Sequence, residues 1–394
     1  MKKVLLTILA VFAALGANAQ YTYQDAKNQD MLRHSLRNGV KARKEIIIPQ
    51  VNGYNVYKAD LHTHSIYSDA HTTPEWRVTE AWYDGLDIIA ITEHLEYRPN
   101  EPKMLEFLKA YAKKNAEAVN YNIVFEGKGN DGIMADLNFA VKCAQAATKD
   151  KPMLIIPGTE ITRAPKVVGH LNALFTTDNN IIPDDDPLQA LRNAKAQGAL
   201  IQHNHPGWLR ESLEMTEFEI QAYKENLIDG IEVMNGPEFY PKVIDRAKEK
   251  GLFLTANTDI HGATAVDYVG SHLGRNMTFI LAKENTLEAV REALEARRTI
   301  AYAYDQLCGE EGLLKALFNA SVKYTLVRVD SKGRSIFNIT NMSSLPFAIS
   351  LPGHNPIWID PFTTVQTKSA DLTLTVLNMW TGENEHPQIS VQFN

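Results

Sequence analysis

Residues 60–76 read DLHTHSIYSDAHTTPEW, with three histidines and two aspartates in the first twelve positions. An apolar run precedes them, so the chain leaves a strand here and enters a loop carrying His62, His64, Asp69 and His71. Exposed loops also collect His and Asp, and the stretch alone does not settle whether it grips a metal. Thr73, Pro74 and Gly85 mark the helix that follows, as an N-cap, a proline at the first position and a glycine at the stop. What other strand ends in the chain carry decides the matter.

Short apolar runs recur between residues 54 and 300: YNVYKADLH, LDIIAITEH, MLIIPGTEI, VVGHLNALF, GALIQHNHP, IDGIEVMN, LFLTANTDIH and NMTFILA. Between them, residues 101–119, 132–148, 187–197, 239–250 and 285–298 show helical periodicity. Such alternation means βα units and a mostly parallel sheet, here long enough to close into a barrel. Residues 54–300 are therefore expected to form an α/β barrel. Residues 301–394 open with a short helix at LLKALFNASV and continue as β-rich segments punctuated by turns, the pattern of a small antiparallel sandwich-like domain.

Residues 1–19 have the pattern of a cleavable signal peptide. Met1-Lys2-Lys3 is basic, residues 4–15 are apolar, and Ala17-Asn18-Ala19 offers a small-residue cleavage site. Residues 20–53 form a polar, basic lead-in. The leader implies a periplasmic or secreted protein. No Cys stands at the cleavage point for a lipid anchor, and no later run approaches the ~18 apolar residues of a membrane span. The net charge is −7, which argues against a nucleic-acid partner held through its phosphates. Two cysteines, Cys143 and Cys308, make no disulfide framework and no thiolate zinc site; both are read as small buried residues.

Most histidines fall between His62 and His272, and they gather at the ends of the apolar runs. His62 and His64 end the first run, His94 the second, Glu160 the third and His205 the fifth. His170 lies in the fourth, and Asp259 and His261 end the seventh. In an αβ barrel the carboxyl ends of the strands share one mouth, where active sites form. Residues i and i+2 of a strand share a face, so His62 with His64, and Asp259 with His261, can each grip a cation. Imidazoles and carboxylates without thiolates suit Zn, Mn or Fe at open positions. Glu160, a lone carboxylate among imidazoles, is the natural bridge between two metals. Paired metals ~3.5–4 Å apart would hold a bridging hydroxide for displacement at phosphorus.

DLHTHSIYSDAH, AITEH, PGTEIT, GHLNALF, NHPG and TDIHG, in that order over residues 55–282, resemble the successive motifs of the PHP (polymerase and histidinol phosphatase) superfamily. The more local resemblance is to secreted bacterial PHP phosphodiesterases with a β-rich tail. The resemblance implies a distorted (β/α)7 TIM-like barrel and two to three bound metal ions. His62, His64, Glu160 and Asp259 would hold the first. Glu160 would bridge to a second completed by His170 and His205. Asp69, His94 and His261 would hold a third, and His71 becomes a bystander. This chain departs from the family pattern at Ala70, where a Gly is usual, and at Glu93, where an Asp often stands. Glu93 is expected to orient an imidazole or cap a loop.

The expected activity is that of an exported phosphoesterase acting on small phosphate mono- or diesters, with Glu160, His205 and Asp259 central to catalysis. His203 is a further substrate-side candidate and a candidate proton donor, and His71 and His272 could also face substrate. Arg98, Arg163, Arg210 and Arg275 follow metal motifs and are candidate phosphate contacts. Trp76, Trp208 and Tyr97 could line the mouth. The Gly-rich segment 127–132 lacks the ending of a nucleotide loop, and the acidic run 184–186 before Pro187 reads as a helix start. Two rival functions remain: an amidohydrolase-type reaction on the same metals, and a non-catalytic binding protein.

Overall fold

The computed structural model describes residues 42–103, 124–126, 133–268 and 273–393. The expected signal peptide, most of the lead-in, nearly all of the expected helix at 101–119, the Gly-rich 127–132 and His272 lie outside the described residues. Lys44–Asn394 form one compact unit.

Its centre is a twelve-stranded sheet. The strands are β1 (Asn55–Asp60), β2 (Ile88–Ile91), β5 (Leu154–Thr162), β6 (His170–Leu174), β7 (Leu200–His203), β8 (Gly230–Asn235), β9 (Glu238–Phe239), β10 (Phe253–Asn257), β11 (Met277–Ala282), β12 (Thr299–Ala303), β13 (Gln306–Gly309) and β20 (Met379–Trp380). A small hairpin, β3 (Val124–Glu126) with β4 (Ile133–Ala135), stands apart. The order is β10-β8-β7-β6-β5-β2-β1-β11-β12-β13-β20, with β9 on β8. All four residues of β2 are buried, as expected of a strand covered on both faces.

The sheet is less parallel than the alternation suggests. β1, β2 and β5 run together, as do β7, β8 and β10, but β6 is antiparallel to both its neighbours and β11 is antiparallel to β1. Only residues 163–169 join β5 to β6, too few for the crossover that a parallel pair needs. The sheet curls, and threonine hydroxyls satisfy the free edge of β10. Thr299 Oγ1 accepts from Leu254 N (3.2 Å), and Thr278 Oγ1 accepts from Ala256 N while donating to its carbonyl (both 3.0 Å). Buried edge groups need such partners.

The helix Pro74–Tyr83 starts as expected, with Thr73 Oγ1 accepting from Trp76 N. Gly85 has φ +94°, and a Cβ there would meet Lys44 O at 2.7 Å. The acidic run 184–186 is a helix start: Asp186 caps Pro187–Ala196 by accepting from Leu188 N. The large sheet continues through β13. After the helix Glu311–Ser321 the chain builds two small antiparallel sheets, one of β14 (Val322–Val329), β15 (Ser335–Asn341) and β18 (Thr364–Ser369), the other of β16 (Phe347–Ser350), β17 (Ile357–Ile359), β19 (Thr373–Val376) and β21 (Gln388–Ser390). Phe337, Phe347 and Ile349 of these sheets share a buried cluster with Val78, Phe279 and Phe318. Both cysteines are free; Cys308 is buried as expected, whereas Cys143 is only half-buried.

Candidate metal centre

Strand direction places the histidines. β1, β2, β5, β7, β8 and β10 all end at one rim. β6 runs the other way, so His170 reaches the same rim from its strand's first residue. Backbone hydrogen bonds beyond the strands zip the rim together. Asp259 N donates to His62 O (3.0 Å), His64 N to Ile260 O (3.3 Å), Glu160 N to Glu93 O (2.9 Å) and Asn204 N to His170 O (3.0 Å). His205 (φ +24°) and Asp259 (φ +52°) hold left-handed backbone conformations. Strain of this kind, about 1–3 kcal/mol each, collects at functional sites.

Nine side chains converge there. His62 Nε2 lies 3.0 Å from His64 Nε2, 3.2 Å from Asp259 Oδ1 and 3.3 Å from Glu160 Oε1. Glu160 stands among the imidazoles, 2.5 Å from His94 Nδ1, 3.3 Å from His170 Nδ1 and 3.7 Å from His205 Nε2. Asp69 lies 3.2 Å from His261 Nε2 and 3.4 Å from His94 Nε2. Among the described residues four sets have ligand atoms close enough to share an ion: His64, Asp69, His94 and His261; His62, His205 and Asp259; His62, His64 and Glu160; and Glu160, His170 and His205.

The donor chemistry fits cations. His62 Nδ1 is 2.9 Å from Glu232 Oε1 and donates to it, which leaves its Nε2 lone pair aimed at two carboxylates and a second imidazole. His261 Nδ1 likewise faces the Asp259 carbonyl at 2.8 Å and turns Nε2 toward Asp69. Lone pairs and carboxylates facing one another need a proton or a metal between them, and an oxygen and nitrogen set without sulfur suits Zn, Mn or Fe.

Partners outside this set hold it in place. Glu232 also accepts from His205 N (2.7 Å), Asn235 Nδ2 (2.8 Å) and Asn257 Nδ2 (2.9 Å). Asn204 donates to Glu160 Oε1 (2.8 Å). Arg77 donates to the carbonyls of His64 and Gly262, both at 2.6 Å. Glu93 accepts from Ser65 N (3.1 Å), Ser65 Oγ and Ser68 Oγ, so it caps the 65–68 loop and orients no imidazole. Glu232 was missed in the sequence, although a carboxylate inside the apolar run IDGIEVMN was its signal.

The proposed phosphate contacts separate. Arg163 lines the hollow over the site. Three other arginines do not, because buried or neighbouring acids claim them. Arg275 is 1% exposed and pairs with Asp60 and Asp84. Arg210 pairs with buried Glu219 at 2.6 Å. Arg98 donates to His94 O and Glu101. His203 is buried, with Nε2 3.3 Å from Glu219, and does not line the hollow. His71 is exposed and meets the rim through its backbone N–H, which donates to His261 O. Trp208 and Tyr97 line the hollow, whereas Trp76 does not.

The carboxylates and imidazoles polarise one another. Burial opposes charge on His94, but Glu160 and Asp69 outweigh it and push its pKa up to about 10. His62, His205 and His261 are raised as well, with burial again overridden by neighbouring carboxylates. His64 is pushed down to about 3 by burial and by the charge on His94. Burial would raise Glu160 and Asp259, yet the surrounding histidines hold both well below the usual carboxylate range.

A metal must displace the protons on these imidazoles. The His94 pairing stabilises the metal-free fold fully below its ordinary 6.5, and that contribution is lost as pH climbs toward about 10. Metal affinity runs the opposite way and rises with pH. Titration of metal-free protein with Zn2+ at about pH 6 and about pH 8 should show tighter binding at the higher value, with proton release. Equal affinities would contradict this electrostatic picture.

A two-domain protein from Bacteroides vulgatus containing a predicted PHP-like metal-dependent phosphoesterase is 31% identical to this chain. The match covers 90% of this chain and 99% of that one, with a TM-score of 0.76. The chain belongs to this family of PHP-like metal-dependent phosphoesterases. A putative metal-dependent phosphoesterase from Bifidobacterium adolescentis (15% identity, 61% and 96% of the two chains, TM-score 0.39) and an endonuclease from Pyrococcus furiosus (16%, 69% and 62%, 0.39) are far more distant. No protein-family model and no curated protein matches. No helix among the described residues is long and apolar enough to cross a membrane.

Proposed function

We propose that this protein is an exported hydrolase of small phosphate esters that works with two to three Zn, Mn or Fe ions on a distorted (β/α)7 barrel. The observation that carries this reading is the convergence of nine ligand-type side chains, the buried carboxylate of Glu160 among them. His62, His64, Glu160 and Asp259 would hold one ion, Glu160 with His170 and His205 a second, and Asp69, His94 and His261 a third. When bound, such ions stabilise charge on phosphoryl oxygens and lower the pKa of water.

The chain's own residues set the stage for that chemistry. Glu232 fixes the tautomer of His62 and ties down the His205 backbone. Thr162 Oγ1, 2.6 Å from His94 Nδ1, holds that ring. His205 and Asp259 line the hollow where the reacting phosphoryl group would sit, and Glu160 stands buried behind them. The leader at residues 1–19 supports export, and the acidic composition favours a small ester over a nucleic acid.

Aryl phosphate mono- and diester assays on metal-loaded wild type and His64→Ala test the reading. Wild type should hydrolyse at least one of the two classes, and His64→Ala should lose most of that activity. Turnover of amides or lactones without any phosphate ester would favour the amidohydrolase alternative. Bound metal without hydrolysis of either kind would favour a binding protein.

A further inference from the structure

The hollow over the metal centre has a chemical character of its own. About 540 Å³ in volume, it opens onto Asp69, His94, His170, His205, Asp259 and His261. That is ample room for a ring and a phosphate. Its side walls are aromatic. The Trp208 ring lies 5.3 Å from both the His170 and His205 rings, and the Tyr97 ring lies 5.7 Å from that of His94. Both are incompletely covered, Trp208 at 38% and Tyr97 at 56% exposure. Ala164 and Pro165 add further apolar surface. Large aromatic faces left open beside a reactive centre gain most when a ligand covers them.

Arg163 also lines the hollow, where its Nη2 meets Glu96 (2.9 Å) and the Asp184 carbonyl. We infer that the organic arm of the ester is a planar apolar group, an aryl or heteroaromatic ring, that stacks on Trp208 and Tyr97. This inference rests on the phosphoesterase reading for the reaction, but its binding component can be measured separately.

Benzyl and ethyl phosphates, each as monoester and methyl diester, have comparable alkoxide leaving groups, so their kcat/KM ratio reports recognition of the ring. Wild type should prefer benzyl through KM. Trp208→Ala should lower the benzyl-to-ethyl ratio about 10- to 100-fold, the size of an aromatic stacking contribution, and Trp208→Phe should restore most of it. In parallel, benzylphosphonate should bind metal-loaded wild type more tightly than ethylphosphonate and quench tryptophan fluorescence. If wild type hydrolyses no phosphate ester yet keeps that Trp208-dependent binding preference, the reaction reading falls and the ring site stands. Equal handling of benzyl and ethyl ligands in both assays, or equal loss on both in Trp208→Ala, would overturn the inference.

Discussion

Glu160→Gln should reduce kcat by on the order of 10³-fold or more, the upper range for removing a charge-stabilising group from an active site. Glu160 is fully buried and lies within 3.7 Å of ring nitrogens from five histidines, His62, His64, His94, His170 and His205. A neutral amide of the same size keeps the packing but removes the negative charge shared by two proposed metal positions. It also turns an N–H donor toward groups that must themselves bind cations. The variant should fold, which circular dichroism and a thermal melt can establish, so the loss will read on metal binding and chemistry. Activity within tenfold of wild type would mean that Glu160 bridges nothing.

The second large effect concerns stability. Arg275 and Asp60 are both fully buried, and the guanidinium pairs with the carboxylate directly. Asp60 also accepts from Thr258 N (3.2 Å) and His62 N (3.3 Å), so it ties the end of β1 to the loop that carries Asp259. Arg275→Met would leave Asp60 without its cation in the interior, at a cost of about 3–5 kcal/mol. Denaturant unfolding should register that loss. Adding Asp60→Asn should recover part of it, because the uncompensated charge is then gone. A cost below about 1 kcal/mol for Arg275→Met would show that the pair is solvated like a surface ion pair.

These two residues also show what the sequence discloses and what it hides. The ligand-type residues announce themselves because strand ends are local features, and a His or Asp closing an apolar run is visible without knowing its neighbours. The i, i+2 argument for His62 and His64 reached the right neighbourhood by an incomplete route. β1 ends at Asp60, and the two histidines lie beyond it, on a segment held by the backbone of 259–260. The reversed β6 was legible in principle from its seven-residue connection, yet apolar periodicity carries no information about strand direction.

Arg275 and Arg210 depart from the expectation for a different reason. Position after a metal motif suggested a rim, but Arg275 and Arg210 turn inward to neutralise Asp60 and Glu219. Arg275 and Asp60 are 215 positions apart in the chain, so only the fold reveals that the acid needs a cation. Glu232 was hidden in the same way, since its partners come from the segments that follow β1 and β7, from β8 and from the end of β10.

Metal content measures directly whether several metals share Glu160. Elemental mass spectrometry of purified, metal-replete wild type and Glu160→Gln should find two to three transition-metal ions per chain in the first and at most one tightly held ion in the second. Fewer than two ions in wild type, or the same number in both proteins, would contradict that sharing.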